Sequence, residues 1–537
     1  MSTVAPIAAG GSRLRGLATS APAWLVVAAV LVGVVALVPL AYLLTLAVSA
    51  GEDAIALATR ERTLGVLVRT LLLAATVTLA TIVIGVPMAW LTTRADLPGR
   101  RWWTVLSILP LVVPSYVGGY AIVAAFGPRG ALQSLLEPLG IQRLPELYGF
   151  PGAALALTLF SYPYVVLSVR GALLRLDPAY EEVGRSLGLG PWRTLFRVTL
   201  PQLRPAITAG ALLVALYSLS DFGAVSLLQF DSFTRAIYVQ YRASFDPTLA
   251  AVLALLLVAC TGAILLAESR LRGRAGYHRS GGGAARRARP VGLGPWRWPA
   301  LAFVALVVGL AVAVPIGTIG FWLVRGLAAG EPLNVVVDAT ANSVLASALA
   351  AGLAVVASLP VAILAVRHRG AIGSAVERAT YAGFALPGIV IGLAFVFVAA
   401  RYLPWLYQTL PLLLIAYLVR FAPEAVGITR ASLLQVSPRT EEVARTLGRS
   451  PGAVLREVTL PILRPALLAA AALVFLTAMK ELPATILLAP TGFDTLAIRI
   501  WSATSEGFFA RAAAPALLMV LVAAASLALL LRGEAER

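Results

Sequence analysis

Twelve apolar runs, each about long enough to cross a membrane, alternate along this chain with short polar stretches. A hydrocarbon core of roughly 30 Å needs about 20 apolar residues in a helix. The first half offers Trp24–Val48, Thr70–Leu91, Trp103–Phe126, Phe150–Ser168, Ala206–Leu228 and Thr248–Ala267. The second offers Trp298–Val324, Asn342–Val366, Ala379–Ala400, Leu403–Ile428, Ala466–Leu488 and Ala512–Leu531. The pattern predicts an all-α polytopic membrane protein of about twelve transmembrane helices, six in each half. The division is 1–267, a basic linker over 268–297, and 298–537; the linker carries eight arginines and the run Gly281-Gly282-Gly283. The first run, preceded by Arg13 and Arg15, resembles a signal peptide, but it exceeds the roughly 7–15 residues of such a core. Its removal would break the six-plus-six pattern, so a retained helix is expected.

Two polar islands punctuate the pattern. Leu176–Ile207 returns as Val436–Leu467, with 17 of 32 positions identical and no gap. Each lies between the fourth and fifth run of its half. Asp177 is placed to cap a helix starting at Pro178, and Ser437 with Pro438 does the same in the second copy, because proline at the first helical position loses no bond. Gly188 and Gly448 fit the positive φ of a helix end. A second short helix is expected from Gly190-Pro191 or Ser450-Pro451, ending before Pro201 or Pro461, where the residue preceding proline leaves the α region.

Composition supports the membrane reading. Hydrophobic residues at 59%, charged residues at 13% and a mean hydropathy of +0.88 exclude an ordinary soluble protein. The net charge of +18 could point to nucleic acid, but its distribution argues otherwise. With the N-terminus inside, the cytoplasmic segments hold 30 of the 43 lysines and arginines and the outer loops 11. This is the positive-inside bias. It puts both islands and both termini in the cytoplasm and leaves no nucleic-acid partner expected. The basic linker reads as a solvated tether close to anionic headgroups. Cys260 is alone, so no internal disulfide forms, and His278 and His368 lie in separate loops without metal-ligand spacing. Lys480, the only lysine, stands between Met479 and Glu481, so the chain has no G-x-x-x-x-G-K-[ST] phosphate loop. Any ATP hydrolysis belongs to another polypeptide, and no catalytic residue is expected here.

Two carboxylates sit inside the fifth runs. Asp221 follows Pro205 by 16 residues and Glu481 follows Pro465 by 16. That is about 24 Å along a helix, towards the outer side. Intramembrane carboxylates face a cavity or a partner. They either line a pathway for a hard cation, which favours oxygen ligands, or are neutralised by Lys480 or a helix terminus. The third runs contain Pro110 and Pro114 in one half and Pro387 in the other, sites where a membrane helix can bend. Parallel duplicated halves imply a pseudo-twofold axis along the membrane normal, with a pathway between them.

EEVGRSLG…VTLP and EEVARTLG…VTLP resemble the EAA loop of ABC importer permeases. The matching positions are Glu182, Gly188, Leu200 and Pro201, then Glu442, Gly448, Leu460 and Pro461, with Glu181 and Glu441 alongside. Val183-Gly184 and Val443-Ala444 stand where two alanines are usual. The resemblance implies coupling helices, steadied by polar contacts of Glu182 and Glu442, docked on a cytoplasmic ABC ATPase dimer. That dimer would carry ATP and Mg, with no cofactor in this chain. The alternative is two solvated amphipathic loops without a partner. LSDFGAVSLLQFDSFTRAIY from Leu219 and MKELPATILLAPTGFDTLAIRIW from Met479 are similar to segments of ferric-iron importer permeases. These, like thiamine importers, join two six-helix halves in one chain. The resemblance, which covers nearly the whole chain, implies a multi-pass protein of the bacterial inner membrane. It also implies an extracytoplasmic solute-binding protein, iron(III) as cargo, and Asp221, Lys480 and Glu481 along the pathway. Thiamine, a phosphonate or a polyamine remain alternative cargoes. An ion-coupled secondary transporter is the rival of another class, with Asp221 and Glu481 as proton carriers.

Overall fold

The computed structural model describes residues 21–127, 130–140, 147–177, 179–243, 247–271, 290–332, 334–368 and 370–535. Among these residues the protein is all-α, and strand-type pairing is limited to an isolated bridge between Ala95 and Val291. Ten helices are long and apolar enough to cross a membrane, and two bent pairs bring the number of spans to twelve. We number the spans α1 (Ala23–Ala50), α2 (Glu61–Arg94), α3 (Ser115–Phe126), α4 (Phe150–Arg175), α5 (Leu200–Ser220) and α6 (Pro247–Leu271). In the second half they are α7 (Gly294–Ala328), α8 (Asn334–Arg367), α9 (Gly388–Tyr402), α10 (Leu410–Gln435), α11 (Leu460–Met479) and α12 (Phe509–Ala535).

The third spans are broken rather than gently bent. Ala371–Phe384 meets α9 at 105°. In the first half Arg100–Leu106 leads through a 3-10 turn, Leu109–Val112, into α3. The proline at each break has no N–H and drives its predecessor out of the α region; Val113 is extended, with ψ 119°. The fifth runs are also interrupted, contrary to the expectation of single helices. α5 stops at Ser220, and a short helix, Gly223–Leu227, follows Asp221-Phe222. α11 stops at Met479, and Pro483–Leu488 follows. Each carboxylate therefore stands at a helix end, not midway along a helix. The fourth span of the second half starts at Leu410, later than Leu403, because a 3-10 turn occupies Pro404–Leu406.

The islands correct one further expectation. The helices from Pro191 and Pro451 do not end before Pro201 and Pro461. Each passes through a π turn, Leu195–Thr199 or Leu455–Thr459, and continues as α5 or α11. The wider turn makes room for the proline ring, which would strike the carbonyl four residues earlier in a regular helix.

Packing repeats between the halves. α2, α4 and α5 lie against one another in the first, as α8, α10 and α11 do in the second. Gly85 and Gly210 bring the backbones together, since a Cβ at either would stand 2.8–2.9 Å from Val165. The first span of each half crosses over. α1 packs on α8, α9 and Ala371–Phe384 of the second half as well as on its own α6, while α7 packs on α3 of the first half as well as on its own α12. The Trp322 indole N–H donates to the Ala124 carbonyl at 3.1 Å, tying α7 to α3. Exposed apolar side chains such as Val27, Leu31, Leu79, Val83 and Val356 form the faces that hydrocarbon covers.

Candidate functional site

The first island begins where the Asp177 carboxylate accepts the Ala179 N–H at 3.0 Å; Pro178 lies outside the described residues. Ser437 makes no side-chain cap, contrary to expectation. With Pro438 at the first position one of the orphan donors is already absent; the hydroxyl that caps is Ser450, on the next helix from Pro451, accepting from the Ala453 N–H at 3.3 Å. Gly188 and Gly448 have φ +79° and +80° and close their helices. Leu189 N–H donates to Gly184 O at 3.1 Å and Arg449 N–H to Ala444 O at 3.2 Å, the six-to-one bond of a glycine-ended helix.

The paired glutamates divide their labour. Glu181 and Glu441 are buried, whereas Glu182 and Glu442 face solvent. Thr199 Oγ1 donates to Glu181 at 3.1 Å, and Thr459 Oγ1 to Glu441 at 3.3 Å. Arg367, the last residue of α8, donates to Glu441 through Nε at 3.2 Å and Nη2 at 3.0 Å, and to the Val436 carbonyl at 3.0 Å. Its counterpart Arg94 ends α2 and donates to the carbonyls of Leu173 and Leu176 at 2.9 and 3.4 Å. The role of steadying the loop helix therefore falls to Glu181 and Glu441 rather than to Glu182 and Glu442. One residue further turns a side chain by about 100°, off the packed face. The sequence reading missed Arg94 and Arg367. The available signal was an arginine just past the second apolar run of each half.

Leu200, Pro201, Leu460 and Pro461 form the first turns of α5 and α11, directly behind the islands. Outward from them stand exposed Tyr180, Val183 and Leu187 in one copy and Val443 and Leu447 in the other. Among the described residues, the linker end braces the first island and not the second. Trp192 lies 6.2 Å from both Trp90 and Trp296, and the Leu293 N–H donates to Asp96 at 2.9 Å. Gly452 replaces Trp192 in the second copy, where a cavity of about 480 Å³ opens beside Glu441.

A second cavity, about 270 Å³, lies between the halves and brings Asp221, Lys480 and Glu481 together with Arg420 and Glu424. Asp221 Oδ1 accepts from Ala224 N–H at 3.0 Å and Val225 N–H at 3.3 Å. Glu481 Oε1 accepts from Ala484 N–H at 3.1 Å. Both carboxylates thus cap the short helix after the break, where free N–H groups favour negative charge. Each carboxylate is therefore hydrogen-bonded at a helix start and also lines the cavity. Lys480 donates to the Leu111 carbonyl at 3.2 Å. Arg420 donates to Leu386 O at 2.6 Å, and Glu424 accepts from Thr477 at 3.0 Å. Glu424 and Thr477 went unnoticed in the sequence. Among the described residues no three His, Cys, Asp or Glu side chains gather to hold a metal, and His278 lies outside them.

The family model described as "Binding-protein-dependent transport system inner membrane component" matches residues 81–268 and 354–532. The chain is 35% identical over 505 residues to the Fe(3+)-transport system permease protein FbpB 2 of Haemophilus influenzae, covering 93% of this chain and 96% of that one. It is 26% identical over 475 residues to the putative ferric transport system permease protein FbpB 1 of the same organism, covering 84% and 74%. The Escherichia coli sulfate transport system permease protein CysT is 32% identical over 200 residues, covering 36% of this chain and 71% of the relative.

Proposed function

We propose, on the premise that this chain belongs to the family of binding-protein-dependent transport system inner membrane components, that it is the fused permease of an ATP-driven importer of iron(III). The observation that carries the reading is the pair of islands, each anchored by a buried glutamate and presenting exposed apolar side chains away from the membrane spans. Such a knob suits a groove on a cytoplasmic ABC ATPase, and two knobs suit a dimer that holds ATP and Mg. The cargo assignment draws on relatives named for ferric transport, one of which aligns over nearly all of this chain. A solute-binding protein outside the membrane would deliver the ion.

Mechanically, closure of the ATPase dimer draws the islands together. α5 and α11 leave the islands without interruption, so they carry the motion to the carboxylate-lined cavity at their far ends. Asp221 and Glu481 offer hard oxygen donors to a passing trivalent cation, which such ions favour. The test is reconstitution in liposomes with its ABC ATPase and an iron-loaded solute-binding protein. Uptake of radiolabelled iron(III) that requires ATP is expected. Uptake driven by a proton or sodium gradient without the ATPase overturns the reading. ATP-dependent uptake of thiamine, a phosphonate or a polyamine in place of iron reassigns the cargo alone.

A further inference from the structure

The two halves are unlike where they meet. Displacing a second-half position by the 260 residues that relate the islands gives its first-half counterpart. Arg420 then corresponds to Phe160, Glu424 to Tyr164, Thr477 to Tyr217 and Lys480 to Ser220. All eight residues line the cavity between the halves. The second half therefore supplies both of its cations. The proline breaks create a need for them, because a broken helix leaves carbonyls without intrahelical donors. In the second half Arg420 serves the Leu386 carbonyl of its own break. The first half has Phe160 in that place, and Lys480 reaches across from the end of α11 to serve Leu111. That single ammonium spans the two halves, in surroundings poor in water, where a hydrogen bond from a charged donor counts for most.

A second acceptor is within the same cavity. Glu424 is held by Thr477, one helical turn before Lys480 on α11. Unlike Asp221 and Glu481, it caps no helix. We propose that Lys480 is the positioning residue of the cavity between the halves: its ammonium ties α11 to the Leu109–Val112 turn while the halves are together, and passes to Glu424 when they part. The hand-over keeps the ammonium from being stranded unpaired in a buried site. The proposal rests on ATP-driven separation of the halves and deepens that reading with a named tether.

The experiment uses the full permease in complex with its ATPase, spin-labelled at Gln229→Cys and Thr491→Cys, two exposed positions just beyond the paired short helices. Inter-label distances are recorded without nucleotide and with ATP plus vanadate. In the parent complex, a long-distance population with nucleotide is expected; its absence counts against the ATP-driven reading itself. Lys480→Met is expected to show at least a several-fold larger long-distance population without nucleotide, and Lys480→Arg, which retains a donor, to resemble the parent. Glu424→Gln should leave the nucleotide-free distribution unchanged and reduce the long-distance population with nucleotide. If the parent opens on ATP and Lys480→Met matches it in both states, the tether is overturned. If Glu424→Gln opens like the parent, the hand-over is overturned.

Discussion

At the scale of single residues, the structure separates groups that are buried and hydrogen-bonded from groups that face solvent or the cavity between the halves. Arg367 and Glu441 are both largely buried, and removing one member of a buried ion pair costs about 3–5 kcal/mol because the other is left uncompensated. Arg367→Ala is therefore expected to abolish co-purification with the ATPase, whereas Glu442→Gln, on the exposed side, should reduce it far less; affinity pull-down of the tagged permease distinguishes the two. The glycines at the island turns give a second prediction. Nothing lies within 4 Å of a Cβ at Gly188 or Gly448, so a substitution meets strain from positive φ alone, about 1–2 kcal/mol for alanine. Paired Gly→Ala changes should weaken ATPase association, and paired Gly→Asn changes should weaken it less. For the pathway, Asp221→Asn with Glu481→Gln keeps an oxygen to cap each short helix while removing charge. Iron uptake is expected to fall at least tenfold with assembly intact, and unchanged uptake would remove both carboxylates from the pathway.

At the scale of elements, the π turns fix how each island is aimed. A π turn holds one residue more than an α turn, and one residue is about 100° of rotation. Deleting Val458 within Leu455–Thr459 removes the extra residue of that turn, sets the Pro461 ring against the preceding turn and should re-aim the second island about α11. The expected outcome is insertion into the membrane at parental levels with ATP-dependent uptake lost, read by membrane fractionation and by transport in parallel. The same elements show how local patterning misleads. The stretch Ala206–Leu228 is apolar on average despite Asp221, so hydropathy reads one helix; at the interruption the Asp221 carboxylate accepts from the Ala224 and Val225 N–H groups. Pro201 was a sound reason to stop a helix, and a wider turn was the remedy available to the chain. Neither remedy leaves a mark in hydropathy.

At the scale of the molecule, the crossing of α1 and α7 onto opposite halves turns a tandem repeat into an interlocked pair. The halves should therefore associate without the peptide bond that joins them. Expressing 1–280 and 281–537 as separate chains is expected to give co-purification of the two and ATP-dependent uptake. Omitting residues 1–50, and with them α1, should leave α8 and Ala371–Phe384 uncovered and the second half poorly accumulated. Loss of co-purification in the split pair with α1 present would show that the linker, not the crossing, holds the halves together.

The sequence alone determined the class, the number of spans and the two islands. Those follow from quantities that accumulate along the chain: apolar length against membrane thickness, the side on which arginines collect, and near-identity at a fixed separation. It could also name Asp221, Lys480 and Glu481, because ionisable groups in apolar runs stand out. Only the tertiary structure decided which glutamate of each pair is buried, that Arg94 and Arg367 brace the islands, and that Glu424 joins the cavity. These depend on the direction a side chain faces and on partners as much as 369 residues away, as for Lys480 and Leu111. Such proximity is set by packing between helices, which no local pattern encodes.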